Sequence, residues 1–240
     1  MKSKKLISIL MVGCGGVGSL AARILHTSLR CSVSFIDGDT FEPKNENRQT
    51  FDKSHMGVNK AESMSRHYGG DYYPFFITPE FNEKHDIILC AVDNHAARRT
   101  CLKLAEEWGV PCVVAANEIE SSMVYIHYGD IAVDNPEYSA LTWFPDLLSE
   151  DEDERDPSQS CAAIINTDQG AQTFMANAVS ATTACQAIVR IINMQEAGLP
   201  RNEFPAYYYI CNGMFNYSPL NKLYNIFPFV FTTPTDEVPA

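Results

Sequence analysis

Four clustered glycines and a downstream carboxylate are the first residues in this sequence whose spacing points to chemistry. In the stretch MVGCGGVGSL, Gly13, Gly15 and Gly18 fit the pattern G-x-G-x-x-G, and Gly16 adds a fourth glycine. Glycines in such a turn let the backbone approach a phosphate, and the following helix offers free N–H groups to the anion. Asp37 falls where an acid commonly accepts hydrogen bonds from a ribose. The pattern predicts a nucleotide site and leaves NAD and ATP both open.

The polar stretch after Asp37 favours ATP. Its sequence, GDTFEPKNENRQTFDKSHMGVNK, is too long for an ordinary strand-to-helix connection. It supplies a second acid, two asparagines, an arginine, a glutamine and a lysine, namely Asp39, Asn45, Asn47, Arg48, Gln49 and Lys60. Cations delivered beside a glycine loop suit a triphosphate, whose negative charge builds up during displacement at phosphorus. An NAD site would leave these cations unexplained.

A second carboxylate follows the apolar run DIILCAV. Asp93 and Asn94 come directly after this predicted strand. A carboxylate at the carboxyl end of a strand faces the ligand crevice of an α/β sheet and is well placed to hold Mg²⁺. Arg98 and Arg99 follow on a predicted helix and are weaker candidates for phosphate contacts.

The elements that must position these residues are predicted from hydrophobic periodicity. Apolar runs predict strands at 6–12, 31–37, 72–78, 86–92, 112–116 and 123–128, the last with a more exposed face. Helical spacing predicts helices at 19–29, 59–68, 95–108 and 171–196. Tyr-rich stretches at 207–210 and 215–220 suit late antiparallel strands. The predicted fold class is α/β: a Rossmann-like, doubly wound, mostly parallel sheet with late antiparallel strands.

Length and charge narrow the domain organisation and the partners. The 240 residues predict a single domain, 1–240, with an insertion at 129–169 and a flexible tail at 232–240. A net charge of −12 argues against duplex nucleic acid or an anionic membrane surface as the main partner. No segment is predicted to reach the length of a membrane span, and the N-terminal apolar run is interpreted as a strand rather than a signal peptide.

The cysteines give no metal or disulfide pattern. None of the eight is spaced as C-x-x-C, so no zinc site of the paired C-x-x-C kind is expected, and a disulfide framework is unusual in a chain of this length. Most of them lie in apolar runs and are interpreted as small core residues. The expected compartment is the reducing cytoplasm.

Five motifs in order resemble the ThiF/MoeB and ubiquitin-activating enzyme family. They are G-x-G-G-x-G, D-x-D, N-x-x-R-Q, G-x-x-K and a strand ending in D-N, all within residues 6–128. The resemblance implies an adenylyltransferase that uses Mg·ATP. In such enzymes a carboxylate, usually the C-terminal glycine of a small ubiquitin-like or sulfur-carrier protein, attacks the α-phosphate of ATP. The acyl adenylate then passes to a sulfur nucleophile.

The resemblance also assigns roles to individual residues. It implies Asp37 for the ribose, Arg48 and Lys60 for the phosphates, Asn45 and Gln49 for their positioning, and Asp93 for Mg²⁺, with Asp39, Asn94 and the four glycines completing the nucleotide site. Gly16 would give the backbone room beside the α-phosphate. A protein base is hardly needed because a carboxylate is already nucleophilic, so positioning and charge neutralisation would carry the rate.

Cys161 is the candidate sulfur nucleophile. It lies in PSQSCAAI, between the acidic run SEDEDERD and the last predicted helix, where relatives often carry an acyl-accepting cysteine. It is the one cysteine in a polar, turn-like setting. The alternative is a half-buried cysteine that anchors the loop, since free cysteines are usually inert.

Two departures from the family pattern leave alternatives open. Many relatives carry an N-terminal arginine that reaches an ATP site across a dimer, and many carry a zinc site; neither has a counterpart in this sequence. A catalytically silent partner subunit is therefore one alternative, and an NAD-binding oxidoreductase is another. The expected partners are the carrier protein, a conjugating enzyme and a second subunit, in a homodimer or a pseudo-symmetric heterodimer.

Overall fold

Alternating strands and helices make up the part of the chain that the computed structural model describes, residues 6–46, 49–50, 53–117, 122–148 and 170–203. In chain order the elements are β1 (Ile7–Val12), α1 (Gly16–Ser28), β2 (Cys31–Ile36), α2 (Lys60–Tyr68), β3 (Tyr72–Tyr73), β4 (Ile87–Cys90), α3 (His95–Trp108), β5 (Pro111–Asn117), β6 (Ser122–Tyr128), α4 (Ala140–Trp143) and α5 (Gly170–Glu196). The helix predicted at 95–108 is confirmed at both ends.

One six-stranded sheet organises these elements in the order β3-β2-β1-β4-β5-β6. Strands β1 to β5 pair in parallel, and β6 pairs antiparallel with β5. The antiparallel pair follows from the sequence, because only residues 118–121 separate β5 from β6 and a parallel return needs a crossover of about a dozen residues. The predicted Rossmann-like, mostly parallel fold is confirmed.

The alternation of side chains along the buried strands divides the core into two layers. Along β1, Ile9 and Met11 face one layer, whereas Leu10 and Val12 face the other. The first layer is covered by α1, α2 and α5, and the second by α3 and α4. Because both faces of the sheet are covered, its strands are continuous apolar runs rather than alternating ones.

Two strands differ from their prediction. The strand predicted at 72–78 is limited to β3, because Tyr72 and Tyr73 pair with the last two residues of β2 and Pro74 follows without an N–H to donate. Strand β6 was predicted to have a more exposed face, but it is buried on both sides because α5 packs on one face and α3 and α4 on the other. Tyr125 and Tyr128 are accordingly among the largest fully buried side chains.

The long helix α5 corrects a further expectation. Within it, Phe174–Glu196 is long and apolar enough to cross a membrane, contrary to the prediction that no segment reaches that length. In the fold, 56% of its most apolar window is buried, and the helix packs on α1, β5 and β6. Core packing therefore accounts for its apolar composition.

Several predictions fall on residues that are not described. They are the strands predicted at 207–210 and 215–220, the tail at 232–240, and residues 149–169 of the predicted insertion. The assignment of 1–240 to a single domain stays a prediction.

A buried histidine joins β6 to α4. The ring of His127 is fully buried, and its Nδ1 accepts a hydrogen bond of 3.1 Å from the N–H of Ala140. Its Nε2 lies 3.3 Å from Oε1 of Glu106, although the alignment is not that of a hydrogen bond. Burial lowers the pKa of His127 from 6.5 to about 4, so the ring is neutral at physiological pH.

The lowered pKa of His127 predicts a loss of stability in acid. The neutral ring contributes fully to the stability of the folded state above pH 6.5. This contribution is lost as the pH falls towards 4, because the histidine of the unfolded chain takes up a proton at a higher pH than the buried ring does. The free energy of unfolding should fall by up to about 3 kcal/mol across this window, measured by urea unfolding at each pH. In His127→Asn, which keeps an acceptor for Ala140 without titrating, the decline should be shallower. Identical slopes in the two proteins would contradict this assignment.

Candidate functional site

The candidate site lies at the carboxyl ends of β1, β2 and β4. In the sheet, β2 pairs with one side of β1 and β4 pairs with the other side. The loops that follow β1 and β4 therefore diverge, which makes this position a topological switch point. The glycine loop follows β1, Asp37 follows β2 and Asp93 follows β4. The fold thus brings to one edge of the sheet three groups that the sequence analysis singled out.

The glycine loop is packed against other backbone. Gly13 has a φ of +90°, and a Cβ there would lie 2.5 Å from the carbonyl oxygen of Ala91, just after β4. A Cβ on Gly18 would lie 2.0 Å from the carbonyl oxygen of Gly13. Backbone atoms cannot rotate out of the way, so both positions require glycine. These two contacts fix how closely α1 and β4 approach the loop.

The amino end of α1 opens towards the crevice. The helix begins at Gly16, with Gly15 as its N-cap. Gly15 has no side chain with which to cap this end, and the first turn contains no acidic residue. First-turn N–H groups lack helical partners, and together with the helix dipole they suit an anion.

The space beside Gly16 contains a side chain from α5. A Cβ on residue 16 would lie 2.2 Å from Nδ2 of Asn177, whose side chain is buried with 3% of the residue exposed. No residue of α5 was predicted to reach the site, and Asn177 is one of the residues that the sequence patterns did not identify. No local pattern could have found it, because the contact joins positions far apart in the chain.

Asp37 holds the glycine loop in place. Its Oδ2 accepts a hydrogen bond of 2.7 Å from the N–H of Cys14, and its Oδ1 accepts one of 2.8 Å from the N–H of Asp39. Burial raises the pKa of the Asp37 carboxyl above its usual range, while the charge of Lys60 and the two backbone donors oppose that shift. The predicted contact with a ribose stays a prediction; the structure adds that the same carboxylate orders the loop.

Lys60 is a buried cation beside Asp37. Its side chain is 8% exposed, and Nζ lies 2.7 Å from Oδ2 of Asp39, which is more than half exposed. Its charge acts on both Asp37 and the Cys14 thiol. Asn59, which was not predicted to belong to the site, fixes this arrangement. Its side chain donates to the carbonyl oxygens of Asp37 and Asp39, and as the N-cap of α2 it accepts from the N–H of Glu62. An asparagine at the first position of a predicted helix is the signal that could have identified it as the N-cap.

The two predicted amides have different surroundings. Asn45 is buried, and its Oδ1 accepts from the N–H of Glu42 in a short 3₁₀ turn. Gln49 is 8% exposed, its Oε1 has no hydrogen-bond partner among the described residues, and its Nε2 lies 4.0 Å from the position of a Cβ on Gly15. Gln49 therefore lies beside the glycine loop with unused hydrogen-bonding capacity. Arg48 lies outside the described residues.

The residues after β4 divide into one exposed carboxylate and several structural groups. Asp93 is exposed. Asn94 is the N-cap of α3, because its Oδ1 accepts from the N–H of Ala97 at 2.8 Å. Arg98 donates to the carbonyl oxygen of Val92, and Arg99 donates to that of Leu147. The two arginines thus bind backbone carbonyls in this structure.

The donor set fits a magnesium ion that enters with a nucleotide. Within the described ranges there is no group of three or more His, Cys, Asp or Glu side chains that could hold a metal by itself. Mg²⁺ usually keeps several waters and takes one or two carboxylates together with substrate phosphates. Asp93 can supply such a carboxylate.

A match to a known family decides the identity of this fold. The model of the ThiF family matches residues 2–223. The chain belongs to the ThiF family. The glycine loop, Asp37, Lys60 and Asp93 are all within the matched region.

Two curated relatives of this ThiF chain are similar over about half its length. It is 33% identical over 119 residues to SUMO-activating enzyme subunit 2 of Dictyostelium discoideum, a match covering 44% of this chain and 18% of the relative. It is 32% identical over 127 residues to the adenylyltransferase and sulfurtransferase UBA4 of Yarrowia lipolytica, covering 48% of this chain and 31% of the relative. The matches thus span less than a third of either relative.

A solved structure shows the same fold over most of the ThiF chain. The crystal structure of E. coli MccB with ATP superposes with a TM-score of 0.58 at 18% identity, covering 90% of this chain and 66% of MccB. At this identity the similarity supports the fold alone.

The packing of the glycine loop predicts unequal effects of two neighbouring alanine substitutions. Gly18→Ala should lower the free energy of unfolding by about 1–3 kcal/mol, because its methyl group meets a backbone carbonyl. Gly15→Ala should cost less, because the nearest atom lies 4.0 Å away and φ is −78°. Urea unfolding of both variants measures the difference. Equal destabilisation would contradict the described loop geometry.

Proposed function

We propose that this chain is an ATP- and Mg-dependent adenylyltransferase that activates the C-terminal carboxylate of a ubiquitin-like or sulfur-carrier protein. The family match and the relatives, a SUMO-activating enzyme subunit and an adenylyltransferase, support this class of activity. The observation that carries the proposal furthest is the buried Lys60, held by Asp39 beside the glycine loop.

A buried lysine at this position favours a triphosphate over a dinucleotide. Removing an ammonium group from water is costly, so a buried lysine needs a role or a partner. Asp39 supplies a partner but is itself largely exposed, which leaves the pair open to exchange with an incoming phosphate. An NAD site would use Asp37 and the loop and leave Lys60 and Asp93 without a role.

The proposed reaction begins with displacement at phosphorus. A carboxylate oxygen of the carrier attacks the α-phosphorus, and the bond from that phosphorus to the oxygen shared with the β-phosphate breaks and releases pyrophosphate. Lys60 and Arg48 neutralise the phosphates, Asn45 and Gln49 help to position them, and Asp93 binds the magnesium ion. Mg²⁺ would supply further neutralisation of phosphate charge. Positioning and charge neutralisation carry the rate because the carboxylate is already nucleophilic.

In a second step, the acyl group passes to Cys161. The thiolate attacks the carbonyl carbon of the acyl adenylate, and AMP leaves. Cys161 lies outside the described residues. Two buried thiols are poorly suited to this role. Burial raises the pKa of Cys14, in the glycine loop, well above its usual range, and it raises the pKa of Cys185, on α5, to about 12. The proposal also includes a cytoplasmic, dimeric enzyme.

The first prediction for this function is pyrophosphate exchange. With ATP, Mg²⁺ and a panel of ubiquitin-like and sulfur-carrier proteins ending in glycine, labelled pyrophosphate should enter ATP with at least one carrier. Lys60→Ala and Asp93→Ala should each lower the rate by about 10²–10³-fold, because they remove charge stabilisation at the phosphates. Lys53→Ala is the matched control, because Lys53 is 78% exposed and pairs with Glu46 in the same connection; it should exchange at the wild-type rate.

Two other outcomes would identify the alternatives. Calorimetry that finds tight NAD binding and no ATP binding would contradict the proposal and favour an oxidoreductase. Absence of ATP binding by the isolated chain, with exchange after mixing with a second subunit, would favour a catalytically silent partner. Exchange that is unaffected by both Lys60→Ala and Asp93→Ala would also overturn the assignment.

A second prediction concerns Cys161. With ATP and the activated carrier, the chain should form an adduct that thiol reductants cleave, detected by non-reducing electrophoresis and mass spectrometry. Cys161→Ala should abolish the adduct but leave pyrophosphate exchange near the wild-type rate, because exchange precedes transfer. Cys31→Ala, which changes a partly buried described cysteine, is the control and should retain the adduct. An adduct at wild-type level in Cys161→Ala would exclude the transfer role.

A further inference from the structure

The amide of Asn177 enters the glycine loop from α5. A Cβ on residue 16 would lie 2.2 Å from Nδ2 and 2.8 Å from Cγ of Asn177, so the loop admits this side chain only because residue 16 is glycine. Two contacts fix α5 here: Ser180 donates to the carbonyl oxygen of Ala116 at 3.1 Å, and the Cys185 thiol donates to that of Ala21 at 3.7 Å. The position of Asn177 is thus set by the packing of the whole helix.

Only 3% of Asn177 is exposed, and no side-chain hydrogen bond joins it to another described residue. Its amide atoms are not among the fully buried, unpartnered atoms of the described residues, so water or a ligand at the glycine loop can reach them. A side chain kept for packing alone could be apolar at this position. The unused amide instead indicates a ligand that supplies the missing partner.

Gln49 supplies a second amide beside the neighbouring glycine. It is 8% exposed, and its Nε2 lies 4.0 Å from the position of a Cβ on Gly15, a looser contact than that of Asn177 with Gly16. Two buried amides from different segments therefore flank consecutive residues at the amino end of α1. At that end the N-cap, Gly15, has no side chain to accept from the first turn, and the first turn contains no acidic residue.

The chemistry of this group of donors selects an anion. First-turn N–H groups and amide NH₂ groups all donate hydrogen bonds, and the helix dipole adds partial positive charge. Because the amides are neutral, they can donate hydrogen bonds to one anionic oxygen. Unlike a cation, they would not form an ion pair with the second anion, which must approach the first. This is the requirement at a centre where a carboxylate meets a phosphate.

We infer that Asn177, together with Gln49, donates a hydrogen bond to an anionic oxygen bound at the amino end of α1. The identity of that oxygen rests on the proposed function: it belongs to the α-phosphate of the nucleotide or to the carboxylate of the carrier. Asn177 is then a binding residue of the adenylation site that is contributed by α5.

The test compares the affinities of Asn177 variants for AMP, ATP and adenosine by calorimetry. If the oxygen belongs to the α-phosphate, Asn177→Ala should weaken AMP and ATP binding by about tenfold to a hundredfold and leave adenosine binding unchanged. Asn177→Asp should weaken AMP binding further because its carboxylate repels the phosphate. Gln186→Ala, which removes an exposed amide from the same helix, is the matched control and should bind all three ligands as the wild type does.

If the oxygen belongs to the carrier, nucleotide affinities should stay the same in Asn177→Ala. The carrier concentration needed for half-maximal pyrophosphate exchange should then rise by about tenfold, the lower end expected for one hydrogen bond to a charged group. Either result supports the inference and identifies the source. If neither quantity differs from that of Gln186→Ala, the inference is wrong.

A second pair of variants separates binding from packing. Gly16→Ala should lower the melting temperature, since the new methyl group meets Nδ2, Cγ and Oδ1 of Asn177. Adding Asn177→Ala removes all three atoms and should restore the melting temperature but not AMP affinity or carrier-dependent exchange. Restoration of all three quantities would show that the amide only packs, and would overturn the inference.

The outcomes also distinguish this inference from the proposed function. A wild-type chain that binds neither ATP nor AMP would overturn both. A wild-type chain that binds ATP and exchanges pyrophosphate, with Asn177→Ala behaving identically, would overturn the inference alone.

Discussion

The arrangement of the candidate site depends on the Asp37 carboxylate. It accepts one hydrogen bond from the glycine loop after β1 and another from the turn after β2, so a single side chain sets the spacing between the two loops. Its burial is unfavourable to the charged form, and the charge of Lys60 and the two backbone donors offset part of that effect. The loop, the turn and the buried lysine therefore stabilise one another and form a single polar unit at the edge of the sheet.

Much of this could be predicted from the sequence because the signals are local. The apolar runs of β1, β4 and β5 identify buried strands, and a glycine after α3 and an asparagine before it mark the ends of that helix. Parallel strands direct their carboxyl ends to the same edge, so the motifs after β1, β2 and β4 had to meet. The structure adds a second property to the D-N motif, since Asn94 caps a helix while Asp93 is exposed.

What could not be predicted depends on tertiary contacts. The burial of both faces of β6 follows from helices that come later in the chain, and the shortening of β3 follows from how far β2 extends beside it. The entry of Asn177 between α5 and the glycine loop has no counterpart in any spacing rule. Its position within a small-residue helix indicates a close helix contact, but not which glycine it meets or that the contact carries an amide.

The contact between Gly16 and Asn177 has a consequence for how this sequence can diverge. A Cβ at position 16 and the amide group of Asn177 exclude each other, because a Cβ there would lie 2.2 Å from Nδ2 at the start of α1. In homologues, loss of the glycine should accompany a smaller residue on the helix, and a large polar residue on the helix should accompany retention of the glycine. The fourth glycine of the loop would then be inherited together with a residue more than a hundred and fifty positions away, so that the two change as a pair.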